Sequence, residues 1–166
     1  PEVADYWESV VRINEWQTDR FFQNILHGQF NTLADKTITL LGFAFKQDTG
    51  DTRDSPAIPL CKKLLDEHAR VRVHDPRALE NARADLCNIE GDVEFVGDVY
   101  EALEGANALA LVTQWEEYRR LDYERIYAGM VQPAFIFDGR NHLDHTTLHR
   151  IGYNVYPLGK KPLLHL

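Results

Sequence analysis

From Asp35-Lys36 onward the chain alternates short, almost wholly apolar runs with stretches of helical periodicity, and few folds accept such a sequence. The apolar runs cover residues 37–45, 71–74, 93–96, 108–113, 134–137 and 154–157. Helical patterning fills 56–68, 77–87, 99–104, 116–118, 123–130 and 146–151 between them. Strands buried on both faces read as continuous apolar runs, and parallel neighbours need a long crossover, usually a helix. The alternation therefore predicts an α/β fold over residues 35–166, a Rossmann-like doubly wound parallel sheet with helices on both faces.

Residues 3–30 break this rhythm. Val3, Tyr6, Trp7, Val10, Val11, Ile13, Trp16, Phe21, Phe22, Ile25, Leu26 and Phe30 recur mostly at spacings of three and four, the period of one long helix, with Gly28 and Asn31 as stop signals. Its aromatic surface exceeds what a lone solvent-facing helix carries, so part of it is expected to pack on another domain or subunit. The expected organisation is a linker and dimerisation helix over 1–34 and a sheet domain over 35–166.

A chain of 166 residues with 44% apolar and 27% charged residues suits one folded domain. The net charge of −8 and the lack of a Lys/Arg cluster argue against nucleic acid, and no apolar run approaches the ~20 residues of a membrane span. Cys61 and Cys87 match neither a disulfide framework nor a zinc pattern, which favours a reducing, cytoplasmic setting. Pro1 stands where a start methionine or a secretory leader would, so a fragment of a longer protein is expected.

In doubly wound sheets ligands bind beyond the carboxyl ends of the strands, where strand order reverses. Three turns are candidates. The first, Gly42 to Pro56, has bulky residues where a glycine fingerprint would leave bare backbone, and Asp75 follows Gly42 by about 30 residues, beyond the ~20 usual for an acidic ribose clamp. It offers Lys46 and Arg53 ahead of a helix start, with Ser55 as cap and Pro56 as first helical residue. Two accounts fit: the cations hold phosphate, or Arg53 pairs with Asp51 or Asp54 while Lys46 is solvated. The turn at Phe137-Asp138-Gly139-Arg140-Asn141 likewise either presents Arg140 to an anion or pairs it with Asp138. The turn at Thr113-Gln114-Trp115 says less: Thr113 as a cap, Trp115 as a pocket wall or a packing residue.

Together, Leu41-Gly42-Phe43-Ala44-Phe45-Lys46 with Asp48-Thr49-Gly50-Asp51-Thr52-Arg53-Asp54-Ser55, Thr113-Gln114-Trp115, and Phe135-Ile136-Phe137-Asp138-Gly139-Arg140-Asn141 resemble the C-terminal, UDP-binding domain of UDP-glucose dehydrogenases, within the UDP-glucose/GDP-mannose dehydrogenase family. Tyr6-Trp7 and Ile13-Asn14-Glu15-Trp16-Gln17 with Arg20-Phe21 resemble the helix linking that family's two halves. The resemblance implies an enzyme that oxidises the C6 hydroxyl of UDP-glucose to a carboxylate by two hydride transfers to NAD, through a cysteine. That cysteine and the NAD fingerprint belong to an N-terminal domain outside this sequence. It further implies that Phe45, Lys46 and Arg140 contact the UDP-sugar and that Arg53 reaches the NAD held by that domain. No catalytic residue is then expected in this chain, and the partners are a UDP-sugar, the N-terminal domain and a second copy met through the helix. Leu121 to Ile126 looks closer to UDP-glucose dehydrogenases than to enzymes for GDP-mannose.

Other accounts stay open at this stage: a dehydrogenase half for a UDP-N-acetyl-hexosamine or GDP-mannose, a stand-alone module sensing NAD or another adenine nucleotide, or an assembly element. Cys61, among Leu60, Leu64 and Leu65, reads as core filler rather than nucleophile, and Cys87 likewise. His145 and His149 lie four apart with His142 nearby, but no ligand completes a metal set, so they read as titratable surface histidines. Gly159-Lys160-Lys161-Pro162 reads as a solvated end.

Overall fold

The structure, a computed structural model, describes residues 2–166. Pro1, where the expected linker segment begins, lies outside the described residues. Six strands form one parallel sheet in the order β3-β2-β1-β4-β5-β6. They are β1 (Thr37–Leu41), β2 (Arg70–His74), β3 (Asp92–Phe95), β4 (Ala108–Leu111), β5 (Phe135–Asp138) and β6 (Asn154–Pro157). The helices are α1 (Glu2–Gly28), α2 (Ala57–Asp66), α3 (Leu79–Leu86), α4 (Val99–Leu103), α5 (Tyr123–Gly129) and α6 (His145–Ile151), with a 3₁₀ turn at Glu116–Arg120. Order reverses between β1 and β4, the expected doubly wound arrangement.

Strand periodicity sorts the side chains into two cores. Ile38, Leu40, Val71, Val73, Ala108, Ala110, Phe135 and Phe137 face Phe22 and Ile25 of α1 and Leu60, Cys61 and Leu64 of α2. Their neighbours Leu41, Leu109, Leu111, Ile136 and Val155 face Leu103, Tyr118, Ile126, Leu148 and Tyr153. Every residue of β1, β4 and β5 is buried, which is why these runs carry no alternation with polar residues. The polar exception in the middle of β1, Thr39, donates its hydroxyl to the Ala102 carbonyl at 2.6 Å.

Two expected strands end early. The runs 37–45 and 108–113 stop pairing at Leu41 and Leu111, and the remaining apolar residues turn across the sheet edge instead. Gly42 makes that turn possible. Its φ is +94°, and a Cβ there would lie 2.6 Å from the backbone nitrogen of Thr113. The glycine thus admits a neighbouring turn of the same chain.

Only Phe22, Ile25 and Gly28 of α1 are buried, and the helix lacks a packed face before its last two turns. Gly28 closes it against the Phe137 ring, where a Cβ would approach to 2.7 Å, and Phe30 and Asn31 then adopt left-handed backbone. At the other extreme of the chain Gly159, Lys160 and Lys161 are exposed as expected, but Leu163 folds back to exchange two backbone hydrogen bonds with Val155, covering part of edge strand β6.

The Gly42 geometry sets a stability test: Gly42→Ala should lower the unfolding free energy by roughly 2 to 5 kcal/mol in urea titration, combining a positive-φ penalty with overpacking against Thr113. A loss below ~1 kcal/mol would show that the turn relaxes freely.

Candidate functional site

The carboxyl ends of β1, β2, β4 and β5 are joined through two buried aspartates. Asp75, directly after β2, is 2% exposed. Its Oδ2 accepts the backbone N–H groups of Phe43 and Ala44 at 2.7 and 2.9 Å and the Trp115 indole N–H at 3.1 Å. Its Oδ1 accepts from the N–H groups of Arg77 and Ala78, both at 2.9 Å. The acid that resembles a ribose clamp in sequence has no acceptor capacity left for a ribose. The Thr113 hydroxyl adds a 2.7 Å bond to the Ala44 carbonyl, locking the first two candidate turns together. Beneath this layer His74 meets the Tyr118 hydroxyl at 2.9 Å, and burial holds the imidazole below its ordinary pKa.

Beyond Ala44 the chain leaves the core. Phe45 is 47% exposed, Lys46 is exposed, and among the described residues the Lys46 ammonium makes no hydrogen bond or ion pair. The loop is nonetheless braced. Phe45 N–H bonds to the Asp51 carbonyl at 2.7 Å, Arg77 donates to the Asp48 carbonyl, Asn81 to the Gly50 carbonyl, and the Thr52 hydroxyl to Asp85. Ser55 ends the loop with its hydroxyl accepting from Ala57 N–H and donating to the Phe43 carbonyl. Pro56 has helical backbone angles, so the expected cap and first residue stand within one position of the helix start.

Arg53 is where the alternative account prevails. Its Nε and Nη2 grip the Asp51 carboxylate at 2.7 to 3.1 Å while the rest of the side chain faces water. The Arg53 guanidinium, and then its backbone N–H, pull the Asp51 carboxyl down to about 2. The pair therefore stays charged throughout the neutral range and is lost only as pH falls below the ordinary carboxylate value toward 2.

The β5 turn resolves the other way. Asp138 is fully buried, its Oδ2 accepting from His142 N–H, Leu143 N–H and His145 Nε2 at 2.7 to 2.9 Å and its Oδ1 from Arg140 N–H at 3.1 Å. The Arg140 guanidinium bonds elsewhere, Nε to the Val112 carbonyl at 2.8 Å, and among the described residues its Nη1 and Nη2 have no partner. Asn141 bonds back to Leu158 through both amide atoms, and His142 Nε2 meets the Trp115 carbonyl at 2.9 Å. Trp115, 6% exposed, is a packing residue rather than a pocket wall.

The fold thus brings Phe45, Lys46 and Arg140 to one sheet edge through the Thr113–Ala44 and Arg140–Val112 bonds. Arg53 shares the first loop but is engaged by Asp51. Phe45, Lys46 and Arg140 are all exposed there; clefts of about 230 and 290 Å³ lie elsewhere, in and around α4, α5, α6 and the 3₁₀ turn, and none of these residues or Arg53 lines either. The histidine reading needs correction. His145 is not a surface residue but a nearly buried partner of Asp138, while His149 stacks on His165 at 4.0 Å and does not join it. Sequence reasoning missed Asp75 as a hub and His145 as the partner of Asp138; the position of Asp75 directly after β2 was a signal, whereas nothing in the spacing marked His145. Cys61 is core filler as expected, its thiol pushed up to about 12 by burial, and Cys87 is exposed. Among the described residues no helix is long and apolar enough to cross a membrane, and no metal-holding cluster occurs.

Residues 39–145, which contain all three candidate turns, match the family model for the UDP binding domain of the UDP-glucose/GDP-mannose dehydrogenase family. The chain belongs to that family. UDP-glucose 6-dehydrogenase 2 of Oryza sativa subsp. japonica is 45% identical over 183 residues, covering 99% of this chain and 38% of that protein. UDP-glucose 6-dehydrogenase 1 of the same plant is 44% identical over 178 residues, covering 96% and 37%. A UDP-glucose dehydrogenase structure from the hyperthermophilic archaeon Pyrobaculum islandicum superposes with a TM-score of 0.71 at 31% identity, over 90% of this chain and 31% of that one. The chain therefore spans less than two fifths of the curated relatives it matches. Within this family domain the dinucleotide test fails on the chain's own residues: Asp75 is spent, and Gly42 is filled by Thr113 rather than left open for a pyrophosphate.

The Arg53 pairing is checked by NMR titration of the Asp51 carboxyl. It should titrate near 2 and rise toward 3.8 in Arg53→Ala; an unchanged midpoint would show that the guanidinium does not hold it.

Proposed function

We propose that this chain is the UDP-sugar-binding part of an NAD-dependent UDP-glucose 6-dehydrogenase, with residues 35–166 as the nucleotide-sugar domain and residues 1–34 as linker and dimerisation helix. The observation that carries the proposal is which charged groups at one sheet edge are spent and which are not. In a chain of net charge −8, Asp75 and Asp138 are turned inward onto protein donors, while Lys46 and the outer nitrogens of Arg140 face out, beside the exposed Asp48 and Asp54 of the first loop. Such an edge suits a diphosphate, with the Lys46 ammonium as a compact charge, the Arg140 Nη1/Nη2 fork for paired oxygens and the exposed Phe45 ring as an apolar wall. With Asp75 filled, an adenine dinucleotide cannot be seated on this sheet in the standard way, its ribose on the acid after the second strand; the match to a UDP binding domain supports a uridine diphosphate instead. The likeness to plant UDP-glucose 6-dehydrogenases supports glucose as the sugar.

The residues of this chain bind and orient; they do not carry the oxidation. NAD, held by the N-terminal part of the enzyme, supplies the hydride acceptor. Arg53 reaches toward it from the first loop, giving up or sharing Asp51 to do so. The openness of the edge fits a site whose second wall comes from that other part.

Calorimetry with UDP tests the site. The chain should bind UDP weakly, and Lys46→Ala or Arg140→Ala should each weaken binding by roughly tenfold or more, the loss of one charge-assisted contact of about 1.5 to 3 kcal/mol. Equal affinity in wild type and both variants would overturn the assignment, and a preference for AMP over UDP would favour an adenine-sensing module.

The helix is tested separately. Val3, Tyr6, Trp7 and Val10 follow helical spacing, and Trp7 and Trp16 are 62% and 56% exposed, leaving apolar surface for a second copy. Removing residues up to Asp35 would strip Phe22 and Ile25 from the core, so substitutions on the outer turns are preferred. Trp7→Ser with Trp16→Ser should shift sedimentation equilibrium toward monomer with an unchanged unfolding midpoint; a dimer that persists would remove the helix from the interface.

A further inference from the structure

The chain contains two Asp-x-Arg turns at its ligand edge, and they behave oppositely. In Asp51-Thr52-Arg53 and Asp138-Gly139-Arg140 alike, the arginine N–H donates to the Oδ1 of the aspartate two residues before it, at 3.0 and 3.1 Å. In the first, the guanidinium then folds onto the same carboxylate through Nε and Nη2. In the second it turns away, to the Val112 carbonyl. Spacing and backbone contact are shared, so the difference must come from what else each carboxylate binds. Among the described residues the Asp51 side chain accepts only from Arg53. Asp138 Oδ2 is filled by three donors, the backbone N–H groups of His142 and Leu143 and the ring of His145.

His145 is the one side chain among these donors and the lid on the carboxylate. A carboxylate oxygen accepts, so the 2.7 Å contact makes Nε2 the protonated ring nitrogen. The imidazole is 12% exposed and Asp138 wholly buried, and the ring is the third donor on Oδ2.

We propose that His145 is a positioning residue for nucleotide binding: by filling and covering Asp138 Oδ2 it denies Arg140 the intraloop ion pair that Arg53 makes, and so keeps the Arg140 Nη1/Nη2 fork available to phosphate oxygens. The proposal rests on the UDP-binding reading for its purpose, but its structural core is independent of any ligand. With His145 removed, Oδ2 retains two backbone donors and regains room for a third. The Arg140 terminal nitrogens are charged donors on the same turn without a partner among the described residues, and a buried acceptor left short draws them in. Arg140 then leaves Val112 and repeats the Asp51–Arg53 geometry. Glutamine can replace the imidazole as an N–H donor to Asp138; alanine cannot.

The test compares the 166-residue chain with His145→Ala, His145→Gln and Arg140→Ala. The primary measurement is the Arg140 Nε–H resonance in ¹H–¹⁵N spectra, assigned by its loss in Arg140→Ala. It should move in His145→Ala and return close to its original position in His145→Gln. An Nε–H unmoved in His145→Ala overturns the proposal, as does a shift that glutamine fails to restore. The second measurement is UDP affinity, expected to fall about fivefold in His145→Ala and to recover in His145→Gln. If Arg140→Ala weakens UDP binding and His145→Ala does not, the positioning role fails while the binding site stands. If Arg140→Ala leaves UDP binding unchanged, the site assignment fails and the resonance alone decides whether His145 holds the arginine. Thermal unfolding of the alanine and glutamine variants separates a general loss of packing, which glutamine would not repair, from the specific effect.

Discussion

The Asp75 carboxylate is the constraint on which the ligand edge depends. It accepts bonds from Phe43, Ala44, Trp115, Arg77 and Ala78, so one side chain fixes the turns after β1, β2 and β4 relative to each other. A buried carboxylate with fewer donors would be costly, and each turn consequently has little freedom to shift without leaving it short. Lys46 projects from a loop whose first two residues are held this way, and the turn bearing Arg140 joins through the His142 bond to the Trp115 carbonyl. Asp75, Trp115, His142 and Asp138 form a continuous hydrogen-bonded line along the edge. Precise placement of two cations far apart in sequence follows from that line rather than from the cations' own contacts.

The same line sets the electrostatics. Acidic residues outnumber basic ones 26 to 18, so an anion approaching at random meets repulsion. Two of the carboxylates nearest the edge are enclosed and directed at protein N–H groups, which offset their charge locally, whereas the cationic ends stay in solvent. Asp48 and Asp54 of the first loop stay exposed beside Lys46, so the positive character belongs to the individual Lys46 and Arg140 groups rather than to the edge as a whole.

The sheet was legible because its signal is redundant: each buried strand repeats the same apolar character, and all six lie where the pattern puts them. The strand ends were not, because Phe43, Ala44, Val112 and Thr113 continue the apolar or β-branched pattern while the backbone has already turned at Gly42 to meet Thr113. For the site, Lys46, Arg53 and Arg140 could be picked out as candidates from residue type and position after strands, whereas Phe45 came only from the family resemblance. Whether each arginine pairs with its neighbouring aspartate could not. Asp51-Thr52-Arg53 and Asp138-Gly139-Arg140 offer the same local choice, and the outcome depends on donors from other turns that spacing does not reveal. In sequence His145 reads as a surface histidine for the same reason, being seven residues from the carboxylate it covers.

The state of the two arginines also differs in what it leaves for a ligand. Arg140 spends its Nε on Val112 and keeps the Nη1/Nη2 end, the geometry that grips two phosphate oxygens at once. Arg53 spends Nε and Nη2 on Asp51, so it can offer a paired fork only by leaving or sharing that carboxylate. An exposed pair of this kind contributes little net stability and is readily exchanged for another anion. The first arginine is therefore preorganised and the second is held in reserve. On the proposed reading, one ready and one withheld arginine suit a site assembled in stages: the nucleotide-sugar would meet a prepared edge, and Arg53 would be freed only when another surface brings its own negative charge.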